Sequence, residues 1–475
     1  MQAVFFGLVF LALDKVARPG APLARDTRRG SPTCQPGACQ PGALRDSLWS
    51  LRSVGEGIVP EIVTPESVGI HSEQLARVGE HLRQRYVAPA KIPGSIALVA
   101  RHGQVCYLDV AGMRDMERGT PMTADTIVRI YSMTKPVTSV ALMTLYERGL
   151  FSLDDPVHRF IPGWKKLRVH KGGSHPLFLT APCDRPMTVR DLFMHTSGLT
   201  YDFMNATNVD AAYRELSVGL PRRGYTLQAM IDQLAGLPLE FSPGGRWNYS
   251  LATDVLGYLV EVISGQSLPE YMSSTIFEPL GMVDTSFEIP AGKLGRFASC
   301  YERNLHKEMV LQDDGQDSHF ARRTFWSGGG GLLSTACDYF RFCQMLLNGG
   351  SLDGRRVIGS RTLQFMTCNH LPGGVDMAQF ATGSFSETAY QGVGFGLGFA
   401  TKLDPVRNGF PASAGSYFWG GLASTLFWVD PQEDLAVVFL TQLIPSSTFN
   451  FRGQLESIIY AALEPCQQRF PHKNP

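Results

Sequence analysis

The sequence predicts an α+β fold in which an antiparallel β-sheet is flanked by helices and carries an inserted, mainly helical region. Short apolar runs typical of strands lie between residues 95 and 110 and return after residue 395. Between about residues 154 and 326, apolar residues recur at helical spacing between Pro and Gly breaks. A sheet assembled from the two ends of the chain, with helices between them, accounts for this order.

The first elements lie between residues 72 and 150. A helix-start pattern at Ser72 continues to Leu82. Two apolar runs, Ser95 to Ala100 and Val105 to Val110, flank an Arg-His-Gly turn and predict a β-hairpin. The almost uncharged segment from Val137 to Leu150 predicts a buried helix.

The remaining elements complete the predicted domains. Helices are expected at Met187 to Met194, Thr226 to Leu234, Leu251 to Ser264, Ala336 to Leu347 and Leu455 to Leu463, and strands at Phe395 to Ala400, Ser424 to Val429 and Leu435 to Leu440. We therefore expect an N-terminal tail or targeting segment at 1–58, a sheet domain formed by 59–158 and 326–475, and a mainly helical domain at 159–325.

Length and charge restrict the class of protein. With 475 residues and 44% hydrophobic content, the chain can bury a large core. Lys and Arg together number 43, as do Asp and Glu, so net charge indicates neither nucleic acid nor an anionic membrane as a partner. The apolar run Val4 to Leu13 is too short to span a bilayer, and no spanning segment is predicted.

The first 58 residues leave the cellular compartment open. Scattered arginines and a Pro/Gly/Cys-rich stretch follow Val4 to Leu13, which is compatible with a removed organelle-targeting or secretory peptide and equally with a disordered tail. The nine cysteines are dispersed, which favours reduced thiols, and with them the cytoplasm, over a disulfide framework or zinc site. A bridge between Cys34 and Cys39 stays an open alternative.

The candidate chemistry begins at Ser132 and Lys135. Three positions apart, they share one face of a helix, so their side-chain ends can meet. Pro136 is tolerated only in the first turn of a helix, where free N–H groups and the helix dipole favour developing negative charge. A hydroxyl beside an amine in this position is a nucleophile with a base. Alone the motif is weak, because a serine that precedes a helix also serves as a cap.

Two later segments strengthen this interpretation. Tyr249 lies between a Gly-rich turn and a helix, where its hydroxyl can relay a proton, although a lone tyrosine more often bonds to the backbone of the core. Trp419-Gly420-Gly421-Leu422 is expected to enter the strand that begins at Ser424. Its glycines allow a ligand to approach the strand edge, and the next N–H can face an oxyanion.

Taken in order, these motifs resemble those of the serine β-lactamase and penicillin-binding-protein superfamily, and most of all its class C branch and the family VIII carboxylesterases. The resemblance covers about Pro60 to Leu463. The segments that carry it are Ser132-Met133-Thr134-Lys135 at the SxxK motif, Tyr249-Ser250-Leu251 at the YxN motif, Trp419-Gly420-Gly421 at the KTG motif, and the supporting phrases Leu153 to Val157, His195 to Leu199, Gly328 to Ser334 and Trp428 to Pro431.

The resemblance implies a β-lactamase-like fold and chemistry through an acyl-enzyme without a metal or cofactor. Ser132 would be the nucleophile, Lys135 and Tyr249 would take its proton, and the N–H groups of Ser132 and Leu422 would hold the oxyanion. The resemblance leaves open whether the lysine or the tyrosine is the resting base, because a free lysine has a pKa of about 10.4 and a phenolate would stabilise its cation. The residues expected to bind substrate are Tyr131, Leu251, Trp419, Gly420 and Gly421.

Two departures from the family motifs bear on the substrate. Leu251 stands where β-lactamases have an Asn that binds the substrate amide, and Trp419 stands where they have a Lys that holds the lactam carboxylate. We therefore expect a serine esterase that acts on small carboxylic esters with uncharged acyl groups. Weak β-lactam hydrolysis and assembly into a homo-oligomer both stay open. The alternatives are an acyltransferase of the same fold and a weakly catalytic, filament-forming scaffold, against which the intact Ser132, Lys135 and Tyr249 argue.

Other motifs indicate no further site. Gly392 to Gly398 is Gly-rich but precedes a strand, so a dinucleotide site is not expected. His170 and His175 have no carboxylate or thiol nearby in the sequence to complete a metal site. The chain has no GxSxG segment, which argues against an α/β-hydrolase, and His195 is expected to be structural.

Overall fold

The computed structural model describes residues 51–54, 57–382 and 390–464. The expectations for Val4 to Leu13 and for a bridge between Cys34 and Cys39 lie outside these residues. No helix in the described part combines the length and the hydropathy that crossing a bilayer requires.

Nineteen strands lie within the described residues. They are β1 (Leu51–Val54), β2 (Gly57–Pro60), β3 (Gly94–Arg101), β4 (Gln104–Asp115), β5 (Thr120–Pro121), β6 (Val128–Arg129), β7 (Arg168–Ser174), β8 (Leu177–Pro182), β9 (Cys300–Arg303), β10 (Met309–Asp313), β11 (Leu333–Ser334), β12 (Ser351–Leu352), β13 (Arg355–Arg356), β14 (Val393–Phe395), β15 (Ala400–Lys402), β16 (Tyr417–Gly420), β17 (Leu426–Asp430), β18 (Leu435–Leu440) and β19 (Leu443–Ile444).

Thirteen α-helices lie in the same part of the chain. They are α1 (Ser72–Leu82), α2 (Thr134–Glu147), α3 (Val189–Phe193), α4 (Asn208–Leu216), α5 (Leu227–Ala235), α6 (Ala252–Ser264), α7 (Leu268–Met272), α8 (Glu278–Leu280), α9 (Ala336–Leu347), α10 (Ser360–Thr367), α11 (Met377–Phe380), α12 (Pro405–Asn408) and α13 (Phe451–Tyr460).

Eight strands form one antiparallel sheet in the order β14-β15-β16-β17-β18-β3-β4-β5. Its centre joins the two ends of the folded chain, since β18 pairs with β3 and Val437 lies opposite Val99. Every residue of β3, β16, β17 and β18 is buried, which explains why these strands are continuous apolar runs in the sequence. The predicted α+β class, and a sheet assembled from both chain ends, are confirmed.

The strands differ from the sequence predictions at three points. The segment Phe395 to Ala400 is not a strand but the glycine-rich connection between β14 and β15, in which the Gly396 N–H bonds to the Phe399 carbonyl at 2.8 Å. Strand β16 was missed, because it has only four residues and ends at a glycine, so the segment was interpreted as a turn. Strand β17 begins at Leu426 and not at Ser424, since Ser424 has a φ of 63° and belongs to the preceding turn.

The inserted region also contains strands that the sequence pattern did not predict. β7 pairs with β8, and β9 pairs with β10, each as an antiparallel hairpin. Both hairpins are partly exposed, so they lack the continuous apolar run that marked the central strands. The proposed boundaries between the sheet domain and the helical domain stay a prediction.

The predicted helices are present with shifted ends. α2, α5, α6 and α9 lie where the sequence placed them. α13 begins one turn earlier than expected, because the Asn450 side chain caps it by accepting a hydrogen bond from the Gly453 N–H at 3.0 Å. α2 packs against α6. This contact brings the segment that precedes α6 towards the start of α2.

Candidate active site

Ser132 lies in a single 3-10 turn, Tyr131–Met133, that leads directly into α2. Pro136 is the third residue of α2, as its missing N–H requires. Tyr131 has a φ of 42°, a conformation that side chains other than glycine seldom adopt. Strain of this kind is retained where surrounding packing fixes it, often beside reactive groups. The chain therefore presents Ser132 at a sharp bend before a buried helix.

Three polar side chains meet at this bend. The Tyr249 hydroxyl donates to Ser132 Oγ at 2.6 Å, and Lys135 Nζ donates to the same oxygen at 3.1 Å. Lys135 is 2% exposed and Tyr249 is 1% exposed. The structure thus brings together, from segments 117 positions apart, the hydroxyl, amine and phenol singled out in the sequence.

Lys135 is held by two further acceptors. Its Nζ donates to the Gly329 carbonyl at 2.7 Å and to the Tyr201 hydroxyl at 2.9 Å. Nζ also lies 4.5 Å from the centre of the Tyr249 ring. An ammonium has three N–H donors, and Ser132, Gly329 and Tyr201 supply three acceptors, so the position of the nitrogen is fixed before any substrate arrives.

Asp254 supports this arrangement from α6. Its Oδ1 accepts from the Ser327 hydroxyl at 2.5 Å and from the Gly329 N–H at 3.0 Å. A side chain at 329 would clash, because its Cβ would lie 2.4 Å from Asp254 Oδ2. Burial raises the pKa of Asp254, and the charge of Lys135 opposes that rise. Asp254 therefore fixes the loop whose carbonyl binds the lysine.

The two phenols beside Lys135 differ in their contacts. Burial, and after it the nearby Asp254 and Tyr249, hold the pKa of Tyr201 well above its ordinary value. Tyr201 is thus a neutral phenol at neutral pH, and its oxygen accepts from the lysine. Tyr249, by contrast, donates to Ser132.

His195 belongs to the wall of the site. Its ring lies 5.0 Å from that of Tyr249, and its Nδ1 is 3.2 Å from the Ser250 hydroxyl. Burial, and then the charge of Lys135, lower the pKa of His195 well below its ordinary value, so the ring is neutral at neutral pH. These contacts give His195 a supporting position under Tyr249.

The segment from Trp419 to Leu422 reaches the site from the end of β16. The sequence placed it at the entry of the next strand, which is wrong, because β16 ends at Gly420 and a turn follows. Only glycine fits at 421, since a Cβ there would lie 2.3 Å from the Ile130 carbonyl. The turn is therefore pressed against the backbone just before Ser132, and Leu422 packs in the same small cluster as Tyr131.

Two N–H groups at this junction are available to a ligand. Within residues 57–382 and 390–464, no hydrogen bond uses the backbone N–H of Ser132 or of Leu422 as its donor. Ser132 lies in the first turn before α2, where such N–H groups lack acceptors in the helix itself. The arrangement can accept negative charge beside the Ser132 hydroxyl.

Trp419 and Leu251 are buried. Trp419 is 2% exposed, and its ring lies 5.5 Å from Tyr249 and 5.5 Å from Phe395. Leu251 is 4% exposed and lies against the backbone at Gly219. The structure therefore places Trp419 beside the catalytic candidates and Leu251 beneath the loop that contains Gly219.

The site is built from organic side chains and backbone groups. Within the described residues, no group of three His, Cys, Asp or Glu side chains is arranged to hold a metal ion.

Comparison with known families identifies the superfamily. The family model described as Beta-lactamase matches residues 80–455. The chain belongs to the beta-lactamase family. Among similar proteins, Esterase EstB from Burkholderia gladioli is 30% identical over 393 residues, which are 79% of this chain and 93% of EstB.

Two solved structures are similar to this chain. EstCE1, described as a hydrolase with promiscuous acyltransferase activity, has a TM-score of 0.66 and 27% identity, covering 82% of this chain and 98% of its own. A class C beta-lactamase has a TM-score of 0.59 and 16% identity, covering 83% and 96%, and this likeness shows the fold alone.

Sequence reasoning missed two residues of this beta-lactamase family site. Tyr201 follows the His195 to Leu199 phrase, and nothing local indicates that its hydroxyl reaches Lys135, 66 positions away. Asp254 did carry a signal, since it is an acid among the apolar residues at the start of α6. A buried acid on an apolar helix face requires partners, and that requirement could have identified it.

In this beta-lactamase family fold, Arg452 on α13 fixes the turn between β16 and β17. Its Nη2 donates to the Trp419 carbonyl at 2.8 Å and its Nη1 to the Phe427 carbonyl at 3.0 Å. The guanidinium also lies 4.4 Å from the centre of the Phe418 ring. Helix α13 thus fixes the strand ends that flank Leu422.

Replacing Arg452 with Met is expected to lower the free energy of unfolding by about 2 to 4 kcal/mol, because two buried carbonyls lose a charged donor. Urea unfolding followed by circular dichroism measures this change. Arg159→Met is the control, since it removes a guanidinium whose side chain is 57% exposed and paired with Asp155, and should cost less than about 1 kcal/mol. Equal losses in the two variants would contradict the structural role of Arg452.

Proposed function

We propose that this protein is a serine esterase that hydrolyses small carboxylic esters through an acyl-enzyme on Ser132. The observation that carries the proposal is the convergence of Tyr249 and Lys135 on one serine oxygen in a buried site. Membership of the beta-lactamase family and similarity to Esterase EstB support it.

The first step is activation of Ser132. Either Lys135 as a neutral amine or Tyr249 as a phenolate accepts the serine proton while Oγ attacks the ester carbonyl. Tyr201 is not a candidate for this base, since its raised pKa keeps it protonated. The same proton then passes to the leaving alcohol, and water attacks the acyl-enzyme in a second round of the same transfers.

Negative charge develops on the carbonyl oxygen during both attacks. The N–H groups of Ser132 and Leu422 are proposed to bind it, since each lacks a partner among the described residues. One such donor typically contributes about 3 to 4 kcal/mol to stabilisation of the transition state. The close fit of Gly421 against Ile130 keeps the second donor near the first.

Apolar groups around Ser132 favour an uncharged acyl group. Trp419 packs against the rings of Tyr249 and Phe395, so that an aromatic side chain stands where β-lactamases have a lysine. Burying a carboxylate against these rings without a cation would be costly. The proposed substrate is therefore a small, uncharged carboxylic ester, and a homo-oligomer stays a prediction.

We expect kcat/KM for short p-nitrophenyl esters to exceed that for a cephalosporin by at least about 100-fold. The physical reason is that the lactam carboxylate would lose hydration without gaining a cationic partner, a difference of about 2.7 kcal/mol or more at 1.36 kcal/mol per tenfold. Spectrophotometric assays of a chromogenic ester and a chromogenic cephalosporin measure it. Comparable efficiency on the cephalosporin would contradict the role given to Trp419.

The acyl-enzyme itself is the most direct test of the proposal. Intact-mass measurement after rapid acid quench should detect one acyl group per chain with a slow ester, and peptide mapping should place it on Ser132. Adducts on another residue, or turnover without any adduct on Ser132, would overturn the proposal.

An acyltransferase is the second candidate function. The description of EstCE1 as a hydrolase with promiscuous acyltransferase activity favours it, because both reactions share the acyl-enzyme. Product analysis with and without an added alcohol separates them. A transferase would give ester product in excess over acid at modest alcohol concentration, whereas a hydrolase would give mainly acid.

A further inference from the structure

The β7–β8 hairpin carries two exposed leucines. Leu177 is 82% exposed and Leu179 is 69% exposed. They are two positions apart on β8, so both side chains lie on one face of the hairpin. Their cross-strand partners are Ser174 and Gly172, which are too small to cover them. The tip of the hairpin thus presents an uncovered apolar pair.

Four basic residues without an ion-pair partner lie in the same stretch of the chain as this leucine pair. Lys165, Lys166, Arg168 and Lys171 lie in the same stretch, and no Asp or Glu occurs between residues 161 and 183. In the described part of the chain none of these four cations forms an ion pair. Among the described residues, the Arg168 side chain donates its hydrogen bonds within the hairpin, to Thr180. The chain as a whole has no formal net charge, so the excess of positive charge in this stretch is a local feature.

A cleft of about 450 Å³ lies at the base of the hairpin. Trp164, Leu167 and Leu239 contribute apolar lining, and the lysines at 165 and 166 belong to its wall. The hairpin and its base therefore combine an apolar tip, free cations and a partly apolar recess.

We infer that residues 164–183 form a docking element for the anionic surface of a lipid bilayer. Leucines at a tip can enter the interface between headgroups and acyl chains, while lysines and arginines near the surface attract anionic headgroups. Binding to a bilayer does not require a surface of complementary shape. Two projecting leucines without a defined groove around them meet this condition. An acidic protein partner would instead be indicated if vesicles failed to bind. This inference does not depend on the proposed esterase reaction.

Vesicle flotation of the full chain tests the inference. We expect binding to vesicles of phosphatidylcholine with about one third phosphatidylserine, and at least about tenfold weaker binding to phosphatidylcholine alone. Raising the salt concentration should weaken binding to the anionic vesicles, because the charges are exposed and screened.

Two variant sets separate the components. Leu177→Ser with Leu179→Ser removes the apolar tip, and Lys165→Gln with Lys166→Gln and Lys171→Gln removes three cations. Each set should reduce binding to anionic vesicles by about tenfold, which corresponds to about 1.4 kcal/mol. Leu305→Ser is the matched control, since Leu305 is 70% exposed but lies outside the hairpin, and it should bind like the native chain.

Defined outcomes overturn the inference. The first is that the native chain does not bind anionic vesicles. The others are that both variant sets bind as the native chain does, that only one set binds more weakly, or that Leu305→Ser loses as much binding as the two sets. All substituted positions are exposed, so the thermal unfolding midpoint should match that of the native chain. If the leucine set has a lowered midpoint, Leu177→Thr with Leu179→Thr replaces it. If the glutamine set has a lowered midpoint, Lys→Arg exchanges at the same three positions are used, and these must bind anionic vesicles as the native chain does.

Discussion

Replacing Ser132 with alanine is expected to reduce kcat/KM for short esters by about 10⁵- to 10⁶-fold, the scale seen when a serine nucleophile is removed. Without Oγ no acyl-enzyme forms, and Tyr249 and Lys135 lose the oxygen on which they converge. Only binding and the oxyanion donors would remain to accelerate direct attack by water. A chromogenic ester assay, with fluorophosphonate labelling as a second readout, measures the loss.

Ser139→Ala is the matched control for this variant. Ser139 lies on α2 as well, is fully buried, and its hydroxyl has no hydrogen-bond partner in the described residues. Its removal should leave both turnover and labelling at the native level. Retained turnover in Ser132→Ala, at more than about one hundredth of the native rate, would remove Ser132 as the nucleophile.

Replacing Tyr249 with Phe is expected to lower kcat by about 10²- to 10⁴-fold, the usual contribution of a positioned proton-transfer group. The substitution keeps the ring against Trp419 and His195 and removes only the hydroxyl that lies 2.6 Å from Ser132 Oγ. KM should change little, because the ring surface is preserved. Steady-state kinetics at several pH values separates these effects.

Tyr201→Phe provides the comparison. Both phenols lie beside Lys135, but the Tyr201 oxygen accepts from the lysine and its raised pKa keeps it neutral. Its loss should cost about tenfold through displacement of Nζ, well below the loss in Tyr249→Phe. If the two variants lost activity equally, the assignment of a proton-transfer role to Tyr249 and not to Tyr201 would be wrong.

Local sequence patterns were sufficient for the outline of the fold. The strands β3 and β18 and the helix α2 follow from their continuous apolar composition, because burial on every side leaves a clear signature. That both ends of the chain share one sheet was inferred from the order of elements, whereas the pairing of β3 with β18 is seen only in the structure. Ser132, Lys135 and Tyr249 were singled out by the order of their motifs along the chain and by the resemblance to the superfamily, because the spacing of Ser132 and Lys135 alone is a weak signal.

The remainder depended on contacts that no local pattern contains. The Gly329 carbonyl reaches Lys135 across 194 positions, and its loop is fixed by Asp254 from another helix. The turn at Gly396 was interpreted as a strand because its apolar neighbours satisfied the strand pattern while the bonding was local. Strand β16 was missed because it is short and ends at a glycine, so Trp419 was assigned to the wrong side of its turn.

The junction of β3 with β18 also sets the timing of biosynthesis. Residues 94–101 leave the ribosome more than 300 positions before residues 435–440, with which they pair. At roughly 5 to 20 residues per second, β3 waits about 20 to 70 seconds with one edge lacking its partner. An apolar strand with an open edge is prone to pairing with other chains, so production of this protein should depend on chaperones that shield nascent chains.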